Sequence, residues 1–412
     1  MIQRTCVIIG ASAAGMFAAR AIRKYDPDSN IRIISEESAA PYSRIFLPKL
    51  ITGEVELADI LIRPEEQIKR LRIELIKGVA VNSIHPKIKT LRMNNGAQVK
   101  YDKLLIAAGA SPKLPKIKGV GLPGVFGFRN LQDAGEIRTG AERSQRVVII
   151  GGGLLSLKAA EALNHFDLDV NIVVRSPQLL SQMLDQQSAK WVLQKILAQG
   201  ITVHFGLDVA AISGKNNVEG VILDNGRKIS CQMVIVGKGV QSNLAFLKGS
   251  ALKTDKGILV DKRQRSNLAD IYAAGDIAQT PDFFETGHTI KALWPNAVQQ
   301  GKIAGMNMAG KEIANPDEIT ANIVNLFGLN LASCGQIKKI NAADDEMVFQ
   351  NANVFRRLVF HNNVVVGAVL LGEVHHIGIL RALILSKKNV LHKSNLLMDR
   401  SFKFASLMEQ SL

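Results

Sequence analysis

Val7-Ile8-Ile9-Gly10-Ala11-Ser12-Ala13-Ala14-Gly15, continuing into Met16-Phe17-Ala18-Ala19, reads as an apolar strand, a tight turn and the start of a helix of small residues. The same pattern returns at Val148-Ile149-Ile150-Gly151-Gly152-Gly153-Leu154-Leu155-Ser156, continuing into Leu157-Lys158-Ala159-Ala160. In each, a strand feeds a helix N-terminus through glycine. Amide N–H groups converge there and the helix dipole favours negative charge, which suits a dinucleotide pyrophosphate. One such stretch is a weak signal, because it is short and small-residue helices are common. Two in one chain, both in strand-to-helix context, point to a protein that holds two dinucleotides.

Working outward, the first turn's helix leads to Ile31-Arg32-Ile33-Ile34, a second strand ending at Ser35-Glu36. A carboxylate at that point can accept hydrogen bonds from a ribose hydroxyl. Tyr101 to Gly109 reads as another buried strand ending in small residues, and Ala110 through the Pro/Lys/Gly-rich run to Gly124 reads as a linker. The second turn has its own second strand at Asn171 to Val174. Ile258-Leu259-Val260-Asp261 and Ile271-Tyr272-Ala273-Ala274-Gly275-Asp276 then look like strands returning to the first domain. From about residue 321 short alternating runs such as Arg357-Leu358-Val359-Phe360 and Val364 to Val369 take over, with a helix from Gly378 to Ser386. The predicted fold class is α/β: two Rossmann-like dinucleotide-binding domains, one inserted in the other, plus a small C-terminal α+β domain. The expected boundaries are 1–112 with 244–320, then 113–243, then 321–412.

The bulk numbers agree. A chain of 412 residues suits two or three domains. Hydrophobic content of 47% and a mean hydropathy of +0.11 fit a packed globular protein, and no apolar run approaches the ~20 residues of a membrane span. Met1 to Ala19 has the outline of a signal peptide, but cleavage there would remove the first turn, so a cytoplasmic location is expected. Cys6, Cys231 and Cys334 form neither C-x-x-C nor C-x-x-x-x-C, so no disulfide framework, local dithiol or cysteine-based metal motif is expected. Lys and Arg number 51 against 36 Asp and Glu, a net charge of +15. The cations are spread along the chain and aromatics are scarce, which argues against nucleic acid. An acidic electron carrier, or another subunit of a complex, fits the charge better; a merely soluble basic surface fits it too.

The chain resembles the pyridine-nucleotide-dependent flavoprotein oxidoreductases over nearly its whole length. Within them it is similar to the branch holding rubredoxin reductases and the flavin domain of NADH-dependent nitrite reductases. Pro41-Tyr42-Ser43-Arg44-Ile45-Phe46-Leu47-Pro48-Lys49 resembles a P-Y-x-R-P-P-L-S-K stretch of that branch. Tyr272-Ala273-Ala274-Gly275-Asp276 resembles its second flavin motif. Leu293-Trp294-Pro295-Asn296-Ala297-Val298, with Gly301 and Gly305 following, resembles the helix beneath the flavin, and Leu370 to Arg381 its C-terminal module.

The resemblance implies FAD at Gly10, Ser12, Ala13, Ala14, Gly15, Glu36, Arg44, Lys49, Val81, Ala108, Gly109, Asp276, Asn296 and Ala297. It implies NAD(H) or NADP(H) at Gly151, Gly153, Leu154, Leu155, Lys158, Arg175 and Gly239. Lys49 would stand near flavin N5. Trp294 would wall the ring, although a plain core tryptophan is an equal reading. Asp276 would accept from the ribityl chain, and the amides of Asn296 and Ala297 would face negative charge on the pyrimidine ring. The activity implied is hydride transfer from nicotinamide to flavin and single-electron delivery to an iron–sulfur or rubredoxin-like protein. The alternative is a flavin-bearing relay subunit of a larger complex with a silent nicotinamide pocket. The partner would be a ferredoxin-like or rubredoxin-like carrier or an iron–sulfur subunit, and the assembly a homodimer or hetero-oligomer. Family members that act on thiols carry one or two cysteines on the helix after the first acidic residue. From Glu36 to Glu54 there is none, so thiol chemistry at the flavin is not expected.

Three residues depart from the family pattern. Ser156 takes the place of the third glycine and is small enough to pack. Arg175-Ser176 stands where a glutamate usually holds the NAD ribose; an arginine there welcomes a 2′-phosphate or simply points to solvent. Lys158 occupies the place of a glutamate that often pairs with the flavin-side lysine. At about 4 Å and an effective dielectric of ~20, two like charges cost about 4 kcal/mol. Either Lys158 turns away, or one lysine is neutral, or an anion lies between them. His204, His361, His375 and His376 read as structural, not as metal ligands, and His288 is the histidine nearest in sequence to the flavin helix.

Overall fold

The computed structural model describes residues 4–339, 344–390 and 394–399. Two compact units emerge, one of Met1–Pro112 with Val240–Glu318, the other of Lys113–Gly239 with Ile319–Leu412.

The first unit is built on a five-stranded parallel sheet, in spatial order Ile271–Ala273, Lys103–Ile106, Thr5–Ile9, Asn30–Ser35 and Ile73–Lys77. The inner strands Thr5–Ile9 and Lys103–Ile106 are near-continuous apolar runs, as strands covered on both faces must be. Cys6, Val7, Ile8 and Leu104 to Ile106 are fully buried. The strand order reverses between Thr5–Ile9 and Lys103–Ile106, and a crevice at the C-terminal ends of such a pair is where open α/β sheets take ligands. Helix Ala13–Tyr25 covers one face and lies against helix Trp294–Met308. A Cβ on Gly301 would fall 2.2 Å from Ala14 O and one on Gly305 2.4 Å from Ala18 O, so glycine lets the two backbones touch. An antiparallel meander, Val81–His85, Thr90–Met93 and Gln98–Lys100, completes the unit's other face.

The second unit repeats the design. Its parallel sheet runs Thr202–Phe205, Asp169–Val174, Arg146–Ile150, Met233–Val236 and Val125–Phe126, and a second three-stranded meander spans Val209–Ser213, Gly220–Leu223 and Lys228–Ser230. Its C-terminal part is a five-stranded antiparallel sheet in the order Ala321–Leu326, Leu329–Gly335, Val364–Leu371, Phe355–His361 and Asp345–Gln350, packed by helix Ile377–Ser386. The α/β class and the C-terminal sheet domain stand as expected.

One local reading differs. Ala110–Pro112, expected to be linker, is a strand paired antiparallel with Val240–Ser242. The chain leaves the first unit and re-enters it side by side, and backbone groups brought that close pair with each other.

Candidate functional site

Gly10 follows the first strand with φ +103, and a Cβ there would sit 2.2 Å from Ala107 O on the neighbouring strand. Gly15 is packed as tightly: a Cβ would fall 1.9 Å from Gly10 O. The turn is thereby pressed against the sheet. Helix Ala13–Tyr25 starts with Ser12 in the cap position but with no side-chain cap bond and no first-turn acid, and Ala13, Ala14 and Gly15 are buried. An open N-terminus of this kind forgoes about 1 kcal/mol of capping, which a bound phosphate offsets by accepting the free N–H groups.

Two further elements converge here. Gly275, with φ +79, ends the Ile271–Ala273 strand, and a Cβ on it would lie 3.2 Å from Ala14 Cβ and 3.6 Å from Ala297 Cβ. Asp276 follows immediately, its carbonyl accepting from Ser242 Oγ at 2.8 Å. Helix Trp294–Met308 also begins without a capping side chain or first-turn acid, with Asn296 and Ala297 buried. By contrast, helices Leu131–Ala141 and Gln186–Leu197 are capped by Asn130 and Asp185 side chains. Asn243 donates from Nδ2 to Ala108 O at 2.8 Å and from its backbone N to Gly109 O at 3.1 Å.

The remaining expected flavin residues are more dispersed. Lys49 lies on helix Leu47–Thr52, half exposed, its ammonium 3.3 Å from Glu54. Arg44 pairs with Glu37 and lies over the Tyr42 ring at 5.4 Å, while Tyr42 Oη donates to the same carboxylate at 2.5 Å. Glu36 is exposed at the end of its strand. Val81 is buried in the meander's core, and Trp294 is half-buried against the core beneath the first helix. Glu37, Ser242 and Asn243 escaped the sequence reading; each acts through a neighbour of a motif residue, and no spacing rule marks such contacts.

In the second unit Gly151 has φ +121, and a Cβ there would meet Gly237 O at 2.4 Å. A Cβ on Gly153 would meet nothing within 4 Å. That open surface, at the uncapped start of helix Leu154–Leu163, is where a pyrophosphate can approach the backbone. Leu154 is half-buried and Leu155 41% exposed. Arg175 is exposed directly after Val174, and Gly239, φ +86, is exposed where the chain leaves the unit. Lys158 is held inside its own unit: Nζ lies 2.6 Å from Glu161 Oε2 and 2.6 Å from Asn325 O. Glu161 Oε1 in turn accepts Phe327 N at 2.6 Å. The i, i+3 spacing to Glu161 was legible; the carbonyl of a distant hairpin was not.

The three cysteines are buried, and burial raises their thiols to about 11 for Cys6 and about 12 for Cys231 and Cys334. The histidines bond within the protein. His204 pairs with Asn171 at 3.1 Å, His361 with Asp344 at 2.8 Å and His376 with Arg356 at 2.9 Å. His288 is exposed on a short edge strand. Among the described residues no helix is long and apolar enough to cross a membrane.

Comparison with known proteins agrees with this geometry. Residues 4–301 match the family model described as pyridine nucleotide-disulphide oxidoreductase, and residues 321–388 that of the rubredoxin NAD+ reductase C-terminal domain. The chain is similar to an NADH oxidase of Methanocaldococcus jannaschii, 35% identical over 338 residues, 80% of this chain and 75% of that one. It is also similar to the epsilon subunit of an NADH-dependent phenylglyoxylate dehydrogenase of Aromatoleum evansii, 31% identical over 333 residues, 80% and 78% of the two chains. Among solved structures, a ferredoxin reductase from Rhodopseudomonas palustris superposes with a TM-score of 0.90 over 100% of both chains at 23% identity, a likeness of fold.

Proposed function

The chain belongs to the pyridine nucleotide-disulphide oxidoreductase family, and from that premise we propose that it is an FAD-dependent NAD(P)H oxidoreductase serving an iron–sulfur or rubredoxin-like protein. It is an NAD(P)H-dependent flavin oxidoreductase of the ferredoxin and rubredoxin reductase kind; the acceptor is our proposal. One observation carries the reading: each unit presents an uncapped helix N-terminus behind a glycine turn, closed by close packing in the first and open at Gly153 in the second.

FAD, when bound, accepts a hydride from nicotinamide and releases electrons one at a time. The residues do the rest. Ser12, Ala13, Ala14 and Gly15 offer N–H groups to its pyrophosphate. Asp276 would accept from the ribityl hydroxyls, and the start of helix Trp294–Met308 would present the Asn296 and Ala297 amides to the pyrimidine ring. Lys49 supplies an ammonium on a half-exposed helix, free to exchange Glu54 for another anion. In the second unit Gly153, Leu154 and Leu155 would cradle the nicotinamide dinucleotide, and exposed Arg175 would pair with a 2′-phosphate, favouring NADPH. Thiol chemistry is not part of the proposal: the only cysteines are buried and held protonated.

A second reading has its own support. Lys158 is committed to Glu161 and Asn325, and the Aromatoleum relative is a subunit of a larger dehydrogenase. Here the chain would relay electrons within a complex. Anaerobic mixing of the flavin-loaded protein with NADH, and separately with NADPH, decides between them. Bleaching of the visible flavin band by either donor is expected, faster with NADPH. Bleaching by dithionite alone would transfer the case to the relay subunit.

A further inference from the structure

Helix Trp294–Met308 and the chain on either side of it hold three buried polar side chains that the proposed chemistry leaves unused. Gln300 is fully buried. Its Oε1 accepts from Gly275 N at 2.9 Å and its Nε2 donates to Glu318 Oε2 at 3.1 Å. Glu318 is 7% exposed, and its other oxygen, Oε1, has no hydrogen-bond partner among the described residues. Lys291 is 5% exposed, with Nζ 3.3 Å from Thr280 Oγ1 and 3.2 Å from Pro281 O.

All three bear on one segment. Gly275 to Pro281 carries Asp276 and the strand Ala278–Pro281. Gln300 grips its first residue, Lys291 its last two. Resting on the flavin reading above, we propose that Gln300, Glu318 and Lys291 are positioning residues for the flavin, fixing the Gly275–Pro281 segment at both ends and setting flavin affinity and reduction potential through two opposed buried charges.

Three arguments support this. Gly275 is where three elements of the cofactor site meet, with Ala14 and Ala297 on either side; any displacement of its amide would move Asp276 with it. A buried carboxylate with one unmatched oxygen is costly, and so is an ammonium holding only two long bonds. Such a pair persists where each compensates the other's field. Burial lowers the Lys291 pKa, and the Glu318 carboxylate is the largest influence opposing that shift, ahead of Asp282 and Asp317. A fixed charge buried beside a redox group acts through low dielectric and shifts its potential more than a surface charge does.

The test uses the FAD-loaded full chain and three variants, E318Q, K291M and Q300A. Midpoint potentials are read against indicator dyes, FAD dissociation constants by fluorescence titration, and melting points on FAD-stripped protein. E318Q keeps an acceptor for Gln300 and leaves Lys291 uncompensated, so its potential should rise. K291M leaves Glu318 alone and should lower it. Each shift should be about tenfold in the oxidised-to-reduced equilibrium, about 30 mV for a two-electron couple. Q300A should weaken FAD binding about tenfold, by releasing Gly275. Opposite-signed potentials are a result that a purely structural role does not give. Potentials that stay put or move together, with FAD affinity intact in Q300A and only melting points lowered, overturn the proposal while leaving the flavin reading standing. If the unmodified chain takes up no FAD, the functional reading itself fails and this inference with it.

Discussion

The two glycine turns trace the same backbone path and fill it with opposite side chains. In the first, the residue after the strand pair Ile9 and Ile106 is Ala107, and the helix residue at the corresponding position is Gly15, where a Cβ would meet Gly10 O at 1.9 Å. In the second, the residue after Ile150 and Val236 is Gly237, and the helix residue opposite is Ser156. Ser156 Oγ donates to Gly237 O at 3.3 Å, and a Cβ on Gly237 would sit 1.9 Å from that oxygen. Small and larger have changed places at the corresponding positions of the two turns. A serine in the helix is thus no defect in the second turn, because its strand neighbour gave up the methyl group. The lesson is that a motif position is read properly only with the residue facing it, which stands some 80 positions away (Ser156 to Gly237).

The largest expected effect breaks the symmetry from the first side. G15S gives the first turn the second turn's residue without the matching glycine or spacing. Its Cβ would fall 1.9 Å from Gly10 O, a backbone atom that cannot rotate away. A loss of about 3 kcal/mol or more is expected, the upper end of overpacking, together with loss of FAD. Denaturant unfolding of the variant measures it, and a G15S protein of ordinary stability would show the first turn to be as roomy as the second.

Next comes a cycle within the second turn. G237A alone forces the new methyl onto Ser156 Oγ and should cost about 1–3 kcal/mol. S156G alone loses one bond and adds a helical glycine, about 1–2 kcal/mol. Combined, they recreate the Gly15/Ala107 arrangement, so the double variant should be more stable than the sum of the singles by about 1 kcal/mol or more. Strict additivity would mean that the two residues do not share the gap.

Much of this was legible beforehand and some could not have been. The strands and both turns announced themselves because apolar runs and glycine spacing are local. Asn171 to Val174 reads two residues short of Asp169–Val174, and the helix read from Gly378 begins one residue earlier, at Ile377, since a period marks the middle of an element better than its ends. What stayed hidden depends on distant partners: Glu318 beneath Gln300, Asn325 on Lys158, and the pairing of Ala110–Pro112 with Val240–Ser242. No local pattern encodes these contacts, which join segments from 18 to 167 residues apart. Glu36 is expected at a ribose hydroxyl, and the neighbouring Glu37, which binds Arg44 and Tyr42, carries no signal of its own. Adjacent carboxylates look alike in sequence, and only the direction of each side chain separates them.

Acid should also separate the two units. In the second, burial foremost, then the neighbouring His375 and Arg356, push His376 down to about 4. A histidine whose folded pKa lies below its ordinary 6.5 takes up a proton more readily when unfolded. Its contribution is therefore complete above about 6.5 and is lost as pH falls from there toward 4. In the first unit burial would raise Asp270, but hydrogen bonds and charge from Lys103 and Lys89 outweigh it and hold the carboxyl low. That contribution is present above the ordinary carboxylate pKa of 3.8 and is lost only as pH drops further. Hydrogen exchange across this range should show the second unit loosening first, and H376N should flatten its slope between 6.5 and 4. Simultaneous loosening of both units, unchanged by H376N, would refute the distinction.

The smallest expected effect bears on why the second turn's helix carries a lysine at all. K158E installs the residue type that the family resemblance led us to expect there. It also places two carboxylates at i, i+3 where Lys158 and Glu161 now pair at 2.6 Å, both side chains less than a third exposed. Losing the pair and the bond to Asn325 O, and adding like-charge repulsion, should cost about 1 kcal/mol, seen as a lower melting point. Glu161 still accepts Phe327 N, so the hairpin stays in place and the comparison is clean. If the lysine is there to fasten the hairpin, K158E weakens the fold and leaves flavin reduction by NADH or NADPH no faster. If instead the lysine silences the nicotinamide pocket, the same substitution speeds reduction in spite of the lost stability. The melting point and the reduction rate would then move in opposite directions, and the second turn would be a working site held in check by one side chain.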